Sequence, residues 1–86
     1  MNGWNNCCQG QMPEDIYPKE SIRIIEYNKT EWLGPFLCVN TFKNTENYFV
    51  CSRFRRPNGR WQWGGMHPLA WREIPKFSEH STNITY

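Results

Sequence analysis

Residues 48–63 read YFVCSRFRRPNGRWQW. Two runs rich in aromatic and β-branched residues flank a Pro-Asn-Gly cluster, which is the signature of a β-hairpin. A two-residue Asn-Gly turn would place Pro57 where the ladder needs an N–H. A three-residue loop avoids that loss. Pro57 and Asn58 then fill the centre of a type I turn, and Gly59 takes the left-handed position of a bulge. In that register Arg56 stands opposite Arg60, Arg55 opposite Trp61 and Arg53 opposite Trp63. Opposite residues share a face. Arg53, Arg55, Trp61 and Trp63 therefore lie on one side, and Val50, Phe54 and Gln62 on the other. A slip of one residue would join Phe54 to Trp63 and leave the arginines beside Gln62.

On either side of this hairpin the chain reads as further short strands. Ser21–Tyr27 (SIRIIEY) is the first, ending at the turn cluster Asn28-Lys29-Thr30. Trp32–Phe42 is the second, with Gly34-Pro35 interrupting it, so the usable strand is expected from Phe36. Lys43–Asn47 is a polar turn, Tyr48–Arg56 the third strand and Arg60–Trp63 the fourth. Leu69–Ile74, bounded by Pro68 and Pro75, reads as a last strand or a helical turn. The connections are short, which favours an antiparallel meander over parallel crossovers. The expected fold is mainly β: a small curved antiparallel sheet of four to five strands with little helix. Residues 1–20 are expected as an irregular loop packing on that sheet, 21–77 as the β domain, and 78–86 as a flexible tail.

Composition sets the kind of core. The 86 residues include five Phe, five Trp and four Tyr, against eleven Ile, Leu and Val together. Aromatic rings must supply most of the buried surface, and Ile22, Ile24, Val39, Val50, Trp61 and Trp71 are the expected core. Mean hydropathy is −0.80, and no apolar run approaches the ~20 residues that a membrane helix needs. No basic-then-apolar leader stands at Met1–Gly10, so a cytoplasmic location is expected. A net charge of +2 is too small to argue for nucleic acid by itself.

The four cysteines, Cys7, Cys8, Cys38 and Cys51, allow a two-disulfide scaffold, but a reducing compartment disfavours it. Zinc needs tight local ligand pairs, and the one close pair here is the adjacent Cys7-Cys8. Free thiols without metal or cofactor are expected, with Cys38 and Cys51 as small strand hydrophobes. There is no G-x-S-x-G, H-E-x-x-H or P-loop. A Cys51–His67 dyad has only its residue types in its favour, and Glu14 and Asp15 read as solvated carboxylates. The chain is expected not to be an enzyme.

Guanidinium groups beside indole faces stack with ~0.5–2 kcal/mol per pair. Two readings of the hairpin follow. In one, Trp61 and Trp63 are core and the arginine stems cover them. In the other, Arg53, Arg55, Arg56, Asn58, Arg60, Trp61 and Trp63 form a contact surface for an anion, a base or an acidic protein patch. Arg56 and Arg60, placed opposite each other, repel unless an acidic group lies between them. The Trp4–Asp15 loop is the alternative contact region.

The order of several short motifs resembles a family of small phage- and prophage-associated domains, the domain-of-unknown-function family 551. The matching pieces are Trp4, Met12-Pro13-Glu14, Ile22–Ile25, Asn58-Gly59-Arg60-Trp61 and Trp71-Arg72-Glu73-Ile74-Pro75, spanning about residues 4–77. The Cys7-Cys8 pair and Gly34-Pro35 depart from the pattern. The resemblance implies a phage-encoded accessory protein in the cytoplasm of an infected bacterium. By analogy it implies one that binds and inhibits a host or anti-phage defence component, for example a CRISPR effector or a defence signalling system. The alternative, read from the hairpin, is a direct binder of single-stranded nucleic acid or a small nucleotide. An exposed strand edge would also allow a homodimer.

Overall fold

The computed structural model describes residues 3–75, so the expected tail at 78–86 lies outside the described residues. The chain is mainly β. Its strands are β1 (Asn5–Asn6), β2 (Arg23–Ile25), β3 (Thr30–Phe42), β4 (Thr45–Arg55), β5 (Gln62–Trp63) and β6 (Ala70–Glu73). A one-turn helix, α1 (Pro13–Ile16), and two 3-10 turns punctuate the N-terminal segment. Pro13 starts α1 at a position where its missing N–H costs nothing. Within the expected loop at 1–20, the described residues 3–20 are less irregular than expected, because their polar backbone finds partners in an edge strand and in tight turns.

All pairings are antiparallel, and the sheet runs β1-β6-β3-β4-β5, with β2 beside the start of β3. The long β3–β4 hairpin is the frame. Its turn is only Lys43-Asn44, with φ of 51° and 65°. Positive φ at both central residues is the type I′ geometry that matches strand twist. The turn is therefore shorter than the expected Lys43–Asn47, and Thr45, Glu46 and Asn47 join β4.

Gly34-Pro35 does not end the strand. β3 begins at Thr30, and the register shifts between Leu33 and Phe36. The two residues are taken up in an irregularity of β3, where Pro35 is spared donating to the ladder. That break divides the far edge of β3. Thr30–Trp32 pairs with β2, and Phe36–Val39 pairs with β6. The first strand contracts from Ser21–Tyr27 to Arg23–Ile25, because Ser21 closes a 3-10 turn and Glu26–Lys29 makes the connection to β3.

The strand order departs from a simple meander at its end. From β5 the chain crosses the sheet to the opposite edge of β3. Leu69 N donates to Val39 O at 2.9 Å, and Asn40 Nδ2 donates to His67 O at 3.2 Å. This crossover and the N-terminal segment cover one face. Beneath them lie Leu33, Phe36, Cys38, Cys51, Trp63 and Trp71. The Phe36 ring meets Trp71 edge-on at 4.8 Å and Trp63 at 6.5 Å. Trp71 Nε1 donates to Gln11 O at 2.6 Å, so the most buried indole also has its polar atom satisfied.

Of the expected core, Val39 and Trp71 are buried, and Ile22 and Trp61 pack at its margin. Ile24 and Val50 are exposed, at 56% and 60%. Val50 neighbours Cys51 along β4 and so points to the opposite face, where Val39 and Ala70 are buried near Trp4 but Val50 stays open. Ile24 belongs to a three-residue strand with every residue exposed.

Candidate functional site

The hairpin register read from the sequence is the one observed: Arg53 pairs with Trp63 and Phe54 with Gln62. Pairing ends there, so the connection is wider than three residues. Gly59 N donates to Arg56 O at 2.8 Å. The left-handed residue is Asn58, with φ of 65°, and not Gly59. Positive φ at the third turn position is the type II requirement, and Asn tolerates it because its short polar side chain relieves the usual clash.

Arginine and indole stack as the register requires. The Arg53 guanidinium lies 5.0 Å from the Trp63 ring centroid, and that of Arg55 lies 5.1 Å from Trp61. The stacks sit at different depths. Arg53 and Trp63 are buried, Arg55 and Trp61 are half-buried, and Arg56, Asn58 and Arg60 are exposed.

Both stacked arginines are already partnered within the chain. Arg53 Nε donates to Glu14 Oε1 at 2.9 Å, and Nη2 to Oε2 at 2.6 Å. This is the planar two-point fit of guanidinium to carboxylate. Glu14 is therefore not a solvated carboxylate; α1 carries it over the sheet onto Arg53. Arg55 Nε donates to Glu31 Oε1 at 2.8 Å across the β3–β4 ladder. Nothing local in the sequence marks the Glu14–Arg53 pair, which joins residues 39 apart. Glu31 and Arg55 follow from the strand register once the Lys43-Asn44 turn is set.

Arg56 and Arg60 differ. Among the described residues neither makes an ion pair. They flank the turn beyond the last paired residues and so extend two cations into solvent on either side of Asn58. The nearby hollow, about 430 Å³, is lined by Ile25, Thr30, Phe54, Gln62, Trp63 and others, with Arg56 as its one basic residue. A second cleft of about 470 Å³ lies between the N-terminal turn and β3, β4 and β6, walled by Trp4, Val39, Leu69 and Ala70. Its one charged lining residue is Glu46, which repels phosphate.

All four cysteines are free. Cys38 is fully buried, and burial pushes its thiol up to about 12, so it stays protonated. Burial also raises the Cys7 thiol. Cys51 is buried and donates to its neighbour's carbonyl, Ser52 O, at 3.6 Å, while His67 is exposed in the crossover. The described residues contain no group of three or more His, Cys, Asp or Glu side chains able to hold a metal ion. No helix among them is long and apolar enough to cross a membrane.

Comparisons with protein-family models, with curated proteins and with solved structures gave no match. The likeness to the phage-associated family rests on the quoted residues alone.

Proposed function

We propose that this chain is a non-enzymatic binding protein whose β4–β5 turn docks on an acidic surface of a partner protein. The observation that carries this reading is the contrast along one hairpin. Arg53 and Arg55 are neutralised by Glu14 and Glu31, while Arg56 and Arg60 stand exposed without an ion pair among the described residues. Interior pairing gives the turn a rigid base, and rigid presentation of cationic donors lowers the ordering cost of binding. In the setting that the family resemblance implies, the partner is a host or anti-phage defence component, and occupying its surface is the inhibition.

The same contrast weakens the nucleotide reading. With Arg53 and Arg55 paired internally, and the Trp63 ring buried, the hairpin offers, among the described residues, two cations without an ion pair and no fully open stacking platform.

The test is a capture experiment from a bacterial lysate, run side by side with wild type and with Arg56→Ala/Arg60→Ala, and read by mass spectrometry. The expected result is a protein held by wild type and weakened by about 2–4 kcal/mol in the double variant. The melting temperature should be nearly unchanged, since exposed arginines add little to folding. Equal capture by both proteins would move the contact to the Trp4–Asp15 loop. Recovery of nucleic acid, released steeply by salt, would favour the other reading.

A further inference from the structure

We propose that a second copy of this chain pairs with the outer edge of β4, joining two sheets across a two-fold axis at Tyr48. The hydrogen-bonding direction along β4 follows from the turn. A two-residue I′ turn closes on a doubly hydrogen-bonded pair, here Phe42 and Thr45. Alternation then turns the N–H and C=O of Thr45, Asn47, Phe49 and Cys51 toward β3. Those of Glu46, Tyr48, Val50 and Ser52 point outward. Gly64 N donates to Ser52 O at 2.9 Å, which places the outward set on these residues independently.

β5 occupies the outer edge only at Arg53 and Phe54, with Gly64 beside Ser52. Among the described residues, nothing pairs with the outer edge from Thr45 to Cys51. That open stretch ends at the Lys43-Asn44 turn on one side and at Gly64 on the other. Its midpoint is Tyr48. An antiparallel copy centred there sets Tyr48 opposite Tyr48 and Glu46 opposite Val50 of the partner. Every outward N–H and C=O of the three residues is then paired. The same register keeps the two Glu46 carboxylates apart.

Side chains favour the same occupant. Tyr48 and Val50 are 57% and 60% exposed on the face away from Cys51, and Trp4 lies beside Tyr48 at 6.1 Å. The stretch TENYFV has no Pro or Lys to prevent edge pairing, and its one charged residue, Glu46, falls opposite Val50 in this register. A foreign strand would satisfy the backbone as well. Only a copy of this chain offers an open stretch of the same length with the same limits at both ends, and such a contact closes on itself.

The experiment is sedimentation equilibrium of the full chain over a concentration series, for wild type, Tyr48→Pro and Val50→Glu. Tyr48→Pro removes an outward N–H that the β3 ladder does not use. Val50→Glu leaves the backbone intact and sets a carboxylate directly opposite the partner's Glu46, a repulsive pair. Wild type is expected to approach the dimer mass as concentration rises, with both variants monomeric over the same range. Circular dichroism should show the wild-type strand signal in Val50→Glu, so loss of the dimer there cannot be loss of fold. A monomer mass for wild type throughout, open-ended association, or a folded Val50→Glu that dimerises as wild type does would overturn the proposal. Arg56→Ala/Arg60→Ala should dimerise normally, which separates this edge from the turn surface.

Discussion

Arg53 shows how one side chain does two jobs in a small aromatic core. Its guanidinium lies over the Trp63 ring and closes a two-point contact with Glu14, with the two side chains only 6% and 15% exposed. An ion held that far from water is stable only while its partner is present, because the desolvation cost remains when the attraction is removed. Glu14→Ala should therefore cost about 3–5 kcal/mol of stability, far more than an exposed carboxylate would. Urea unfolding of wild type and variant measures it, and a change below about 1 kcal/mol would show that the pair is solvated. The Arg55–Glu31 pair, 40% and 28% exposed, should matter much less.

The β3–β4 hairpin carries the architecture, and its turn is chemically mismatched to its geometry. Type I′ asks for φ > 0 at both central positions, and a lysine occupies the first with φ of 51°. Asn-Gly is the pair that this turn prefers. Lys43→Asn with Asn44→Gly should raise stability by about 0.5–1 kcal/mol and lift the thermal midpoint by a few degrees. A midpoint below wild type would show that the Lys43 stack on Phe42, at 5.4 Å, outweighs the backbone term. The break at Gly34-Pro35 has the opposite logic. It interrupts one ladder and thereby lets two separate strands, β2 and β6, share the far edge of β3.

In the whole molecule, the decisive event is the return of the chain after β5. By crossing the sheet and inserting β6 between β1 and β3, it carries Trp71 to the centre of the covered face. Trp71 is 1% exposed and meets Phe36, Tyr17 and Gln11 O, which come from a strand and from the N-terminal segment. It therefore ties the two ends of the described chain together. Trp71→Ala should cost about 3–5 kcal/mol, close to the whole stability expected of so small a domain. A thermal melt within a degree of wild type would remove Trp71 from this central place.

Period-two patterning and turn chemistry are local, so the antiparallel class, the hairpin register Arg53–Trp63 and the stacking of arginine on tryptophan were legible in the residues 48–63. Turn width was less legible, because Lys43 in a left-handed conformation has no signal in its residue type. Burial was legible only where both neighbours in the sheet could be inferred. Val50 and Ile24 read as core because they are aliphatic, yet a position is buried only if something covers it, and Val39 on the same face as Val50 is buried while Val50 is not. What covers a face here is the crossover and the N-terminal segment, both placed by contacts between residues distant in the chain. The exposure of Arg56 and Arg60 follows from the local turn, whereas the neutralisation of Arg53 by Glu14 and, among the described residues, the open edge of β4 follow from that placement. These last two were decided by the tertiary structure, since a partner 39 residues away leaves no mark on the local sequence.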